Sequence, residues 1–107
     1  MQGIRALFYT YELEKQHGMT LYEWLLEQAP KLGFWKCVVM RGIAGYDCQG
    51  KIHEEHFFEL ASDVPVVVEI IDEKLKIDHF LQELEAKKVS IFYTTAPLDF
   101  GITGKGS

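Results

Sequence analysis

The stretch "VPVVVEII", residues 64–71, constrains the fold more than any other part of the chain. From Val66 to Ile71 every residue but Glu69 is a β-branched aliphatic. Branching at Cβ restricts χ1 and favours extended backbone, so the stretch reads as a strand. Side chains on a strand alternate between faces, and here both faces are apolar, so both need cover. Pro65 has no amide to give to a ladder, which points to an edge or a bulge at that position. Glu69 is a lone carboxylate in an apolar setting. It must find a cation or an amide, or stay protonated, which makes it a candidate ligand contact or subunit ion pair.

The elements around this strand follow from periodicity. Ile4, Ala6 and Phe8 alternate with Arg5, Leu7 and Tyr9, giving a first strand over about 3–10. A polar link containing Gly18 follows. Thr20 and Glu23 have capping-box spacing, and Leu21, Trp24, Leu25, Ala29 and Leu32 share one helical face. Pro30 predicts a kink or an early end, with Gly33 closing the helix. Residues 34–41 form the second strand, with Trp35, Cys37 and Val39 on one side and Val38 and Met40 on the other. An extended stretch begins at His56–Leu60, breaks at "ASD" and resumes in "VPVVVEII". Asp72 is a good N-cap for a second helix, with Ile77, Phe80, Leu81 and Leu84 at helical spacing and Lys87 and Lys88 near its C-terminal end. Val89, Ile91 and Tyr93 begin a last strand that Pro97 is expected to end. The folded domain is thus expected over residues 1–96, with residues 97–107 a flexible tail.

The order is strand, helix, strand, strand, helix, strand: an α+β, ferredoxin-like split βαβ (βαββαβ) fold. Two helices cover only one face of its antiparallel sheet. The other face is too apolar to remain wet, so sheet-to-sheet contact between subunits is expected. At 107 residues the chain is the length of one domain, and a domain this small leaves apolar surface that an oligomer can bury. The net charge of −5 argues against a sequence-independent grip on nucleic acid, which needs a basic face. The N-terminus has no signal-peptide stretch, no apolar run reaches membrane-spanning length, and the cysteines are only Cys37 and Cys48. These features predict a reduced, cytoplasmic protein without direct membrane insertion.

Chemistry concentrates in "RGIAGYDCQGKIH", residues 41–53. Gly42, Gly45 and Gly50 let backbone amides approach an anion closely, and Arg41 and Lys51 flank them. A plain flexible connection is the competing reading. Cys48, His53 and His56 offer soft and intermediate metal ligands, but their spacing matches no structural zinc site, and in an extended chain His53 and His56 would face opposite ways. Cys37 reads as a core residue, and neither cysteine has a fixed base beside it in sequence. "GITGKGS" lacks the spacing and the following helix that a phosphate-binding Walker loop needs. No nucleophile–base pair and no paired carboxylates stand at a useful fixed spacing, so an enzyme is not expected.

Three segments in order, "LYEWLLEQA", "VVMRGIAGYDCQGKIH" and "LASDVPVVVEIID", resemble the small uncharacterised branch of the PII-like signalling proteins (domain of unknown function, family 190), across about residues 21–91. The resemblance implies a homotrimer with sheets packed inward. It implies adenine nucleotides or related effectors in clefts between subunits. It also implies a long loop between the second and third strands that signals to a partner, such as a membrane transporter, an enzyme or a channel. PII proteins proper carry a second Gly-rich loop after the second helix. Here that place reads "ELEAKKVSI", which points to a ligand with fewer phosphates, such as a nucleoside monophosphate, with Lys87 and Lys88 as supplementary cations. The expected function is therefore a sensor of a small anionic effector (AMP, ADP or ATP) acting through the loop at 41–56, with no resident cofactor. Its expected ligand-binding residues are Arg41, Gly42, Gly45, Lys51, His53 and Glu69. The alternative is a metal-responsive trimeric binding protein using Cys48, His53 and His56.

Overall fold

The computed structural model describes residues 1–45 and 64–104. The first strand, β1 (Gln2–Tyr11), leads into a miniature hairpin of β2 (Lys15–Gln16) and β3 (Met19–Thr20). Helix α1 (Leu21–Leu32) and β4 (Lys36–Arg41) follow; after the undescribed segment come β5 (Pro65–Asp72), α2 (Lys74–Ala86) and β6 (Phe92–Asp99). The four long strands form one sheet in the order β4-β5-β1-β6, antiparallel throughout. This is the expected ferredoxin-like arrangement, with both helices on one face.

The alternation expected in β1 and β5 decides which face the helices cover. Ala6 and Phe8 of β1 and Val66, Val68 and Ile70 of β5 are buried beneath α1 and α2. Leu21, Trp24 and Leu25 from α1, and Ile77, Phe80 and Leu84 from α2, complete this core. Phe80 sets its ring edge-on to both Phe8 and Phe34, at centroid distances of 5.8 and 5.4 Å. Such rings contribute a little beyond the area they bury. Cys37 and Val39 pack against the same core.

Helix α1 ends as its sequence implies. Pro30 lies in the last turn, and Gly33 adopts the left-handed conformation (φ 72°) that closes it. The capping box is made differently from expectation, since the Thr20 hydroxyl donates to the Glu23 carboxylate rather than bonding the helix amides. The link before α1 is more ordered than its polar sequence implied. His17 (φ 54°) and Gly18 (φ 83°) both take positive φ at the tip of the β2–β3 hairpin, the geometry that suits a two-residue turn.

Three expectations are corrected. Pro65 does not mark an edge, because β5 lies between β1 and β4. It is tolerated as the first residue of the strand, where its carbonyl still accepts the Gly42 amide at 2.7 Å. Pro97 does not end the last strand, which runs on to Asp99. Met1 and Phe100 exchange two backbone hydrogen bonds of 2.7 Å, and with Gln2 opposite Asp99 this register leaves Ile4 and Pro97 as a pair without mutual bonds. The missing proline amide therefore points off the edge of the sheet. Asp72 is not the N-cap of α2, a position held by Glu73. Asp72 instead ends β5 as a buried carboxylate, taking the amides of Trp35 (2.9 Å) and Glu73 (2.6 Å).

Candidate functional site

The end of the sheet where β4 stops and β5 starts gathers three of the six expected ligand-binding residues. The β4–β5 register sets Arg41 opposite Val66, and Gly42 beside Pro65. Gly42 is required there by space: a Cβ on it would come within 2.9 Å of Pro65 Cγ. Gly45 packs on the same ring more loosely, its added Cβ meeting Pro65 Cγ at 3.4 Å. The proline ring thus forms the floor on which the first residues after β4 lie.

Arg41 is exposed, and its guanidinium donates to the carboxylate of Glu12. Glu12 comes to this place because β1 runs antiparallel beside β5, with Tyr11 opposite Pro65 and the Glu12 amide bonded to the Val64 carbonyl at 2.9 Å. Just behind it, the buried Thr10 hydroxyl donates to Glu14 at 2.6 Å, while the Glu14 carbonyl receives the first amide of α1, that of Leu21, at 2.7 Å. These contacts fix the turn after β1 against the start of β5 and α1. Chemically, Arg41 is a cation already neutralised by an internal anion. An incoming phosphate or carboxylate has to compete with Glu12 for it.

Glu69 is not part of this group. It lies four residues along β5 from Pro65, about 13 Å away, and points to the face without helices, whereas Arg41 starts from the helix-covered face. One subunit therefore does not bring Glu69 to Arg41, Gly42 and Gly45. Lys51, His53, Cys48 and His56 lie outside the described residues. Among the described residues no group of three or more His, Cys, Asp or Glu stands together to hold a metal ion. Cys37 is half-buried beneath the helices, and desolvation raises its thiol pKa above the ordinary value. That environment disfavours the thiolate.

Sequence reading missed Glu12 and Pro65, since nothing local marks either as a partner of residues 41–45; only antiparallel pairing brings them there. It also missed what surrounds Trp24. Helix α2 runs back along the sheet, and Lys87 at its C-terminal cap places its ammonium 5.6 Å from the Trp24 ring centroid. His17 stands against the same indole at 5.7 Å. Lys87 is thus held by a ring face, while Lys88 is exposed with φ 58°.

The family model described as "Uncharacterized ACR" (domain of unknown function 190) matches residues 4–98, nearly the whole of the described fold. The chain belongs to this family. It is the PII-like branch that the three quoted segments resemble. A UPF0166 protein of Aquifex aeolicus is 44% identical over 79 residues, covering 74% of this chain and 75% of the relative. A second UPF0166 protein of the same organism is 35% identical over 51 residues, covering 48% of this chain and 53% of its own length. Among the described residues no helix is long and apolar enough to cross a membrane.

Proposed function

We propose that this chain is the subunit of a homotrimeric PII-like sensor that binds a small anionic effector, an adenine nucleotide, at the end of the sheet marked by Arg41. The observation that carries the reading is the packing of Gly42 and Gly45 on Pro65 directly after Arg41, with Glu12 as the internal counter-ion of the cation. Such an arrangement suits reversible binding. The guanidinium is pre-positioned, its resident anion is weakly held because the pair is exposed, and the glycines allow backbone amides to approach a ligand. In this reading Lys51 and His53 supply further contacts. The bound effector biases the segment 41–56, through which a partner protein or transporter is regulated. Linkage then makes effector and partner each strengthen the other's binding. Membership in the PII-like branch supports a regulatory rather than a catalytic role.

Titration calorimetry of the full chain with AMP, ADP, ATP and cyclic dinucleotides tests this, alongside its mass in solution. The expected result is a trimer that binds at least one adenine nucleotide, with affinity lowered about tenfold or more in Arg41→Ala, as for loss of a charged hydrogen bond. A protein shown to be trimeric that binds none of these compounds refutes the nucleotide reading.

A further inference from the structure

The face of the sheet opposite the helices can be laid out row by row from the register. One row reads Ala96, Arg5, Ile71, Lys36; the next Thr94, Leu7, Glu69, Val38; the third Phe92, Tyr9, Val67, Met40. The third row is wholly apolar or aromatic, and Tyr9, Met40 and Phe92 remain 38%, 42% and 60% exposed. Arg5 and Glu69 sit on the two central strands, in the middle of this face, one row apart. That diagonal is within reach of long side chains, yet among the described residues neither makes an ion pair within 4 Å. A central cation and a central anion on an apolar face, neither paired among the described residues, are complementary to the same face of another copy.

We propose that Arg5 of one copy pairs with Glu69 of the next, and that this pair sets the register in which the sheets of the assembly meet. The proposal rests on the sensor reading above for the existence of the assembly and adds the contact that orients it. The occupant is a second copy of this chain because the face carries both signs at its centre, and so matches itself. Apolar burial drives the contact without direction, whereas a desolvated charge pair costs heavily when the sheets slip out of register. Lys36, on the edge strand β4, is nearer the rim, where charges contribute less.

Charge reversal on the full chain provides the test, read by analytical ultracentrifugation across a dilution series, with circular dichroism to verify folding. Arg5→Glu and Glu69→Arg should each raise the concentration at which the assembly dissociates by about tenfold or more, as expected for breaking a desolvated pair. The double variant Arg5→Glu/Glu69→Arg should recover most of that loss, and Lys36→Glu should have a smaller effect than either single reversal. Folded single variants that assemble like wild type, or a folded double variant that fails to recover, overturn the pairing while leaving the sensor reading standing. Recovery by Lys36→Glu/Glu69→Lys in place of Arg5→Glu/Glu69→Arg overturns the choice of Arg5. A wild-type chain that is monomeric at all concentrations overturns both the pairing and the assembly it rests on.

Discussion

Replacing Asp72 with alanine should destabilise the fold by about 2–4 kcal/mol, the cost of leaving two backbone amides without acceptors. Its carboxylate is 1% exposed and ties three elements together. One oxygen accepts the Trp35 amide at the entrance to β4, and the other accepts the Glu73 amide at the start of α2. Each orphaned amide costs about 1–3 kcal/mol, and the lower part of that range applies at Glu73, which is exposed and can recruit water. The Lys76 ammonium is 3.9 Å away on a half-exposed side chain, so Lys76→Met should cost no more than about 0.5 kcal/mol. Asp72→Asn keeps one acceptor but turns a donor toward the other amide, and should fall between these limits. Urea unfolding followed by the fluorescence of Trp24 and Trp35 gives the values. Protomer concentration must be held fixed, because assembly makes apparent stability depend on it. With a slope of about 2 kcal/mol/M, the midpoint of Asp72→Ala should drop by about 1–2 M. A loss under about 0.5 kcal/mol would refute the amide accounting. A Lys76→Met variant as unstable as Asp72→Ala would show that the ion pair, not the amide bonds, is the tie.

Gly42→Val should weaken effector binding in calorimetry while circular dichroism shows a folded chain, because the added atoms meet the Pro65 ring at 2.9 Å and displace the residues after β4. Glu12→Gln should tighten effector binding by up to about five-fold, the value of releasing an exposed ion pair; unchanged or weaker binding would count against the competition for Arg41. In a Cys48→Ser background, Cys37 should react with a thiol reagent at pH 8 more slowly than a free thiol, since burial holds it in the protonated form, and its rate should rise with pH beyond the range of an ordinary cysteine.

Much of the fold was legible because it rests on local signals. The alternation of Ile4, Ala6 and Phe8, the stripe of Leu21, Trp24 and Leu25, and the spacing of Ile77, Phe80 and Leu84 each reported the buried side correctly. Where the reading failed, a residue's effect depended on which strand lay beside it. By chemistry alone Pro65 reads as an edge or bulge position and Pro97 as the end of a strand. Their actual tolerance comes from position, at the first residue of a central strand in one case and with its nitrogen turned off the sheet edge in the other. Asp72 has the composition of a cap, but the end of β5 and the approach of Trp35 made it a buried tie.

The candidate site divides along the same line. The sequence by itself determined that a cation and glycines follow the second strand and that the sheet has one apolar face too many for two helices. Those are properties of residue type and of period along the chain, which survive without knowledge of neighbours. Only the tertiary structure decided that Arg41 meets Glu12, that Gly42 must lack a side chain because of Pro65, and that Glu69 points to the face away from the helices, one row from Arg5. Those facts depend on register between strands distant in sequence. A shift of one residue there would exchange the two faces of the sheet and every partner on them.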